Sequence, residues 1–269
     1  MTLLGAFEIN KGEVIALAGG GGKTTTMFAM GYEAANSGYK VVLTTTTRIY
    51  APAPDPRINV ILKPDPDQLL LAIKNSFKTG SVVVAGAGLT PDNKIIGIDK
   101  ELAGLILQTG AELVVVEADG AAGKPFKAPR DDEPVIPGMS TLVIPMVGID
   151  CLYRPLIKEN VHRPEIVSRL LGVNVGDLVT PAMVAGVLLH PRGYRKGIPL
   201  NSRWVPFINK VRLQEELIHA REIAVMLGRG GAGRVIIGAA RESIPVREVS
   251  VFDSCCGTGR RDFIPPGNT

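Results

Sequence analysis

The stretch "EVIALAGGGGKTTTMFAM", Glu13 to Met30, decides the fold. An apolar run ends in four glycines, a lysine and three threonines, and a helical pattern follows. Strand, glycine-rich turn and helix in that order make a phosphate-binding loop. Small residues let backbone N–H groups turn inward onto phosphate oxygens. A lysine reaches the outer phosphates, and a hydroxyl just after it can ligate Mg2+. The following helix adds its positive N-terminal end. Here Gly19, Gly20, Gly21 and Gly22 supply the small residues, Lys23 the charge and Thr24 the hydroxyl, with Thr25 behind it. The usual pattern has a further glycine where this chain has Leu17, so a variant of the loop is expected.

The rest of the chain fits around that loop. Val/Ile/Leu runs at 13–18, 40–46, 58–63, 81–87, 111–119, 141–148, 204–209, 234–240 and 244–252 are expected strands. They are nearly continuous in apolar character, as strands buried on both faces are. Helical periodicity predicts helices over 24–37, 66–77, 99–109, 163–171, 181–189 and 212–227. The last places Leu213, Leu217, Ala220, Ala224 and Leu227 on one face. Strands alternating with helices give an α/β fold, a mostly parallel sheet flanked by helices. The expectation is one phosphate-loop NTPase-like domain over 1–252, with a helical insertion at about 151–200 and a Gly/Pro-rich tail over 253–269.

A metal-bound phosphate also calls for an acidic side chain at a neighbouring strand end. "LVVVEADG" offers Glu117 and Asp119, two apart and so on one side of the strand. Asp119, read as the strand's last residue, is the first choice for Mg2+. Glu117 is a second metal contact or a residue that orients water. "LTTTTRIYAP" runs four threonines off a strand into Arg48, which can touch an outer phosphate. The segment 120–140 is rich in Gly, Pro and charge. It follows a strand end, where α/β proteins bind ligands. Its Lys124, Lys127 and Arg130 can neutralise phosphate charge or bind an anionic second substrate.

Together "GGGGKTT", "TTTTRIY", "VEADGAAGKPFKAPRDDEPVIP", "GIDCLYRPLIKENVHRPEIVSRLLG" and "FINKVR" resemble the selenium-dependent molybdenum hydroxylase accessory proteins, the YqeC-like family. The likeness runs from about residue 8 to 240. It implies nucleotide binding and a role in maturing a molybdenum hydroxylase, with that enzyme or its cofactor-assembly proteins as partners. The phosphate-binding role falls on Gly19 to Thr24, and the acidic strand end on Glu117 and Asp119. Relatives carry Asn-Lys-x-Asp after a late strand, as GTP-binding proteins do. Here the run is Asn209, Lys210, Val211, Arg212. An arginine cannot accept the hydrogen bonds by which an aspartate reads guanine, so ATP or GTP is expected, without guanine selectivity.

Other features narrow the class. The net charge of +4 and the pI of about 9.0 suit anionic ligands but are too dispersed for nucleic acid. The basic cluster "PRGYRKG", 191–197, reads as a solvated loop. No apolar run reaches the roughly 18 residues of a membrane span, and no leader pattern precedes the first strand. Three cysteines, Cys151 and the adjacent Cys255 and Cys256, make no disulfide framework, so a cytoplasmic protein is expected. His162 and Arg163 mark a helix start or carry a base and an anion contact. The alternatives to an NTPase are a small-molecule kinase or ATP-dependent ligase, and a non-catalytic, nucleotide-gated cofactor-delivery module.

Overall fold

In the computed structural model, residues 1–77 and 81–252 are described. The proposed tail, with Cys255 and Cys256, lies outside them. The amino-terminal half runs α1 (Leu3–Phe7), β1 (Glu13–Gly19), α2 (Lys23–Asn36), β2 (Val41–Thr45), β3 (Arg48–Tyr50), β4 (Ile58–Leu62), α3 (Pro66–Lys74), β5 (Val82–Gly86), β6 (Gly88–Leu89), β7 (Lys94–Ile96), α4 (Leu102–Leu107) and β8 (Leu113–Glu117). It continues with β9 (Phe126–Lys127), β10 (Leu142–Gly148), a 3-10 turn (Ile149–Cys151), β11 (Val161–His162), α5 (Pro164–Leu171) and α6 (Pro181–Leu189). The last elements are β12 (Arg203–Trp204), β13 (Phe207–Asn209), α7 (Gln214–Arg229), β14 (Arg234–Gly238) and β15 (Val246–Val251).

The main sheet has the order β15-β14-β13-β10-β1-β8-β2-β5-β4, and the short β12 pairs in parallel with the start of β10. Its neighbours pair in parallel, except β15, which runs antiparallel to β14. Strands β1, β8 and β10 are buried along almost their whole length, which is why the sequence shows runs and not alternation. The period of two still decides which cover each residue meets. Ile15 and Leu17 pack with α1 and α2 through Phe7, Met27 and Met30. Val14, on the other face, meets α3 and α4, whereas Ala16 and Ala18 meet the α5–α7 side.

Two glycines of the loop are required by the approach of β10. A Cβ on Gly19 would sit 2.3 Å from the Met146 carbonyl oxygen, and one on Gly21 would sit 2.0 Å from the Gly148 nitrogen. Both have positive φ, +98° and +80°, a region that favours glycine.

Several boundaries differ from the sequence reading. The strand expected over 111–119 stops at Glu117, so Asp119 lies two residues beyond it. The run 204–209 divides around Pro206, which has no N–H to donate to the ladder. Leu213 is not on the buried face of α7. It is the N-cap and 61% exposed, while Leu217, Ala220, Ile223, Ala224 and Leu227 are buried. Helices α5 and α6 lie between β10 and β12 and share a core with α7. A small antiparallel sheet, β3-β7-β6, was not anticipated. It pairs Tyr50 with Lys94 and so carries Arg48, Tyr50 and Lys94 together.

Candidate functional site

A cavity of about 900 Å3 opens over the carboxyl ends of the central strands. Gly21, Gly22, Lys23, Thr24 and Thr25 line it, and Glu117 stands beside them. Cationic side chains on its lining outnumber carboxylates by seven to two. This excess of cations on the lining favours a polyanion.

Lys23 begins α2 and is 4% exposed. Its Nζ donates to the Gly19 carbonyl oxygen at 2.5 Å and lies 3.3 Å from Asp119 Oδ1 and 3.7 Å from Glu117 Oε1. Burial opposes its charge, but the two carboxylates outweigh burial and hold its pKa above the ordinary value. Thr24 Oγ1 donates to Glu117 Oε2 at 2.6 Å. Burial raises the Glu117 carboxyl above the ordinary range, against the pull of Lys23 and of the Thr24 hydroxyl.

Asp119 does not line the cavity. It is fully buried behind the loop. Its Oδ1 accepts from the Gly19 N–H at 2.9 Å, and its Oδ2 accepts from the Tyr194 hydroxyl at 3.0 Å and pairs with Lys127 at 2.9 Å. The sequence reading ranked Asp119 above Glu117 as a metal contact. The geometry reverses that order, because the strand ends at Glu117 and the chain then turns Asp119 inward.

Lys127 is the second correction. Its side chain is 0% exposed, held by Asp119 Oδ2, by Glu133 Oε2 at 2.9 Å and by the Gly120 carbonyl oxygen at 2.7 Å. A buried ammonium with three acceptors braces the 120–137 loop and does not reach a ligand in the cavity. Glu133 is held in turn by Arg163 Nη1 at 2.5 Å. Arg130 pairs with Asp132 at 3.0 Å, and Lys124 donates to the Glu159 carbonyl oxygen at 2.6 Å. His162 pairs in β11 against Lys127 of β9 and is not on the cavity lining. Burial and the neighbouring Arg163 lower its pKa.

Burial disfavours the charge on Glu133, but hydrogen bonds from Arg163 and Lys127 outweigh it and hold the carboxyl at about 2, below the ordinary 4.5. A depressed carboxyl adds stability that is complete above the ordinary value and is lost as pH falls from there toward 2. The difference corresponds to roughly 3 kcal/mol. Thermal unfolding followed from pH 6 to 2.5 is expected to show this loss, and Glu133→Gln to flatten the profile. A variant as acid-sensitive as the parent would disprove the assignment.

Tyr194 went unnoticed in the sequence. It sits in the basic run read as a solvated loop, yet it is 2% exposed and reaches Asp119. Trp204 Nε1 donates to its carbonyl oxygen at 2.9 Å, and the Arg195 guanidinium covers the Trp204 ring at 3.7 Å. The only available signal was a tyrosine between glycine and arginine. Cys151 is buried, which pushes its thiol pKa up and disfavours the reactive thiolate.

At one flank of the cavity, Asn209 bridges two loops. Its Nδ2 donates to the Gly21 carbonyl oxygen at 2.7 Å, and its Oδ1 accepts from the Ala240 N–H at 2.9 Å. Lys210, in left-handed backbone at φ 65°, pairs with Asp150 at 2.8 Å. Arg212 pairs with Glu242 at 2.9 Å. At the other flank stand Arg48, Tyr50 and Lys94. Of the expected site residues, Gly21 to Thr25, Glu117, Arg48, Asn209 and Lys210 meet at one cavity. Gly19, Gly20, Asp119 and Lys127 do not line it.

Comparison with known proteins agrees with the motifs. The family model of YqeC protein matches residues 15–165, and the chain belongs to the YqeC family. The chain is 29% identical over 230 residues to the protein YqeC of Escherichia coli (strain K12), covering 85% of this chain and 88% of that one. Among solved structures, FtsY from Mycoplasma mycoides aligns over 92% of this chain at 12% identity with a TM-score of 0.37, and the alignment spans 66% of its own length.

Proposed function

We propose that this protein binds a nucleotide with Mg2+, hydrolyses ATP or GTP, and serves as an accessory factor in maturing a selenium-dependent molybdenum hydroxylase. The observation that carries the first two parts is the set Lys23, Thr24 and Glu117 on the floor of a cationic cavity, at a glycine turn opening a helix. The accessory role rests on family membership and on the motif resemblance.

Thr24 Oγ1 and Glu117 Oε2, 2.6 Å apart, are hard oxygen donors that suit Mg2+. Among the described residues no group of three or more His, Cys, Asp or Glu could hold a metal. Mg2+ typically takes its remaining ligands from phosphates and water. The ion, when bound, neutralises charge on the outer phosphates. The chain supplies the rest. Loop N–H groups and the α2 terminus face the phosphates. Lys23 leaves the Gly19 carbonyl for a phosphate oxygen. Glu117 orients the attacking water. Arg212, tied to Glu242, offers no acceptor to guanine, so ATP and GTP are both accepted.

Thermal shift with ATP, GTP and CTP in Mg2+ tests the binding. A nucleotide at 100 times its dissociation constant is expected to add about 2.7 kcal/mol. No shift with any of them would remove the proposal. Binding without Mg2+-dependent phosphate release, with or without a client hydroxylase, would remove hydrolysis and leave the nucleotide-gated delivery module. The kinase or ligase reading is favoured by one observation, the second cationic flank of the cavity.

A further inference from the structure

The sheet order sets the cavity's two flanks on opposite sides of the phosphate loop. Asn209 and Lys210 leave β13, two strands from β1 on one side. Arg48 follows β2, two strands from β1 on the other. At about 4.8 Å per strand, the ends are roughly 19 Å apart. A nucleotide whose base lies at the Asn209 end places its outer phosphate at Lys23, Thr24 and Glu117, with the Arg48 flank still open beyond it.

That flank is built for an anion. Arg48 is exposed, and its side chain makes no ion pair or hydrogen bond among the described residues. Lys94 lies 4.9 Å over the Tyr50 ring, and its Nζ is 2.5 Å from Asp92. Tyr50 is 65% exposed. Ile49, between Arg48 and Tyr50, is 3% exposed and pins the strand to the core. Of the cations expected to serve a second substrate, Lys127 is buried between carboxylates, Arg130 lies off the cavity lining and Lys124 donates to the Glu159 carbonyl oxygen.

We propose that Arg48, Lys94 and the Tyr50 ring form a second binding site, for the phosphate or carboxylate group of a small-molecule co-substrate, next to the outer phosphate of a nucleotide held by the Gly19–Thr24 loop. This rests on the nucleotide reading for its second half only. Arg48 supplies a planar pair of donors to two oxygens, Lys94 supplies a point charge when its Nζ exchanges the exposed Asp92 carboxylate for the anion, and the ring walls the flat side of the molecule.

The test uses the full chain labelled with 3-fluorotyrosine. The Tyr50 resonance is identified by its loss in Tyr50→Phe. The protein is saturated with Mg2+ and a non-hydrolysable ATP or GTP analogue, and inorganic phosphate is titrated. A saturable shift of the Tyr50 signal is expected, at least about fivefold weaker in Arg48→Ala/Lys94→Ala. Arg48 is exposed and the Lys94 side chain is 30% exposed, and the melting temperature checks that the variant folds. No saturable shift, or an unchanged affinity in the double variant, overturns the site. So does a shift that saturating analogue abolishes, because the anion was then in the phosphate loop. Acetate in place of phosphate tells which oxyanion is preferred, and tighter binding of either supports the site. If the analogue itself gives no thermal shift, the nucleotide reading fails, while a phosphate shift dependent on Arg48 still upholds the flank.

Discussion

Lys127→Met is expected to destabilise the protein by about 3–5 kcal/mol, because it leaves two carboxylates without their shared cation. Asp119 and Glu133 flank the ammonium at 2.9 Å each, at sites where water does not replace it. Methionine matches the volume of the stem, so lost packing contributes little. A domain of this size is stable by about 5–15 kcal/mol, and its melting point moves about 2–4 °C per kcal/mol. The midpoint is therefore expected to fall by roughly 6–20 °C. Adding both Asp119→Asn and Glu133→Gln to the same variant removes the carboxylate charges, which by then keep Lys23 and Arg163 as cations, and is expected to recover part of the loss. Calorimetric unfolding of the three proteins decides the matter. A loss under 1 kcal/mol in the single variant would mean that the buried network is not what braces the loop.

Lys23→Ala is expected to weaken nucleotide binding about 10- to 150-fold, the range for losing a hydrogen bond to a charged group, 1.5–3 kcal/mol. Its ammonium already sits at the loop, 2.5 Å from the Gly19 oxygen. The same substitution strips a cation from Glu117 and Asp119, so the unliganded protein also loses stability. The two effects separate when affinity is titrated well below both melting points. Glu117 has Thr24 and the cavity as alternatives, whereas Asp119 retains the Gly19 N–H, Tyr194 and Lys127. The affinity change is therefore the larger signal. Affinity equal to the parent would show that the glycine turn binds no phosphate.

Most of the fold was legible because its causes are local. Continuous Val/Ile/Leu runs announce strands buried on both faces. The α6 limits, 181–189, are those the periodicity gives, and the structure starts the helix at Pro181 with the Thr180 hydroxyl accepting the Met183 N–H. The glycine turn was legible for the same reason. What stayed hidden is decided by residues far apart in the chain. Tyr194 meets Asp119 across 75 positions. The burial of Lys127 depends on Arg163 and Glu133 arriving together. A charge that is paired and one that is solvated look alike in sequence, so Lys127 was assigned to the ligand and is instead structural. The order of Glu117 and Asp119 turned on where a strand stops, and periodicity locates that only to within a residue or two.

The Asn209 amide has one more consequence. By holding the Gly21 carbonyl with one end and the Ala240 N–H with the other, a single side chain 3% exposed acts as a fixed spacer between two segments of the cavity lining. The gap between loop and turn is then set during folding, within the narrow tolerance of two hydrogen bonds. An occupant finds a gauge of set width waiting for it. Little ordering of these two segments then remains to oppose an occupant's entry.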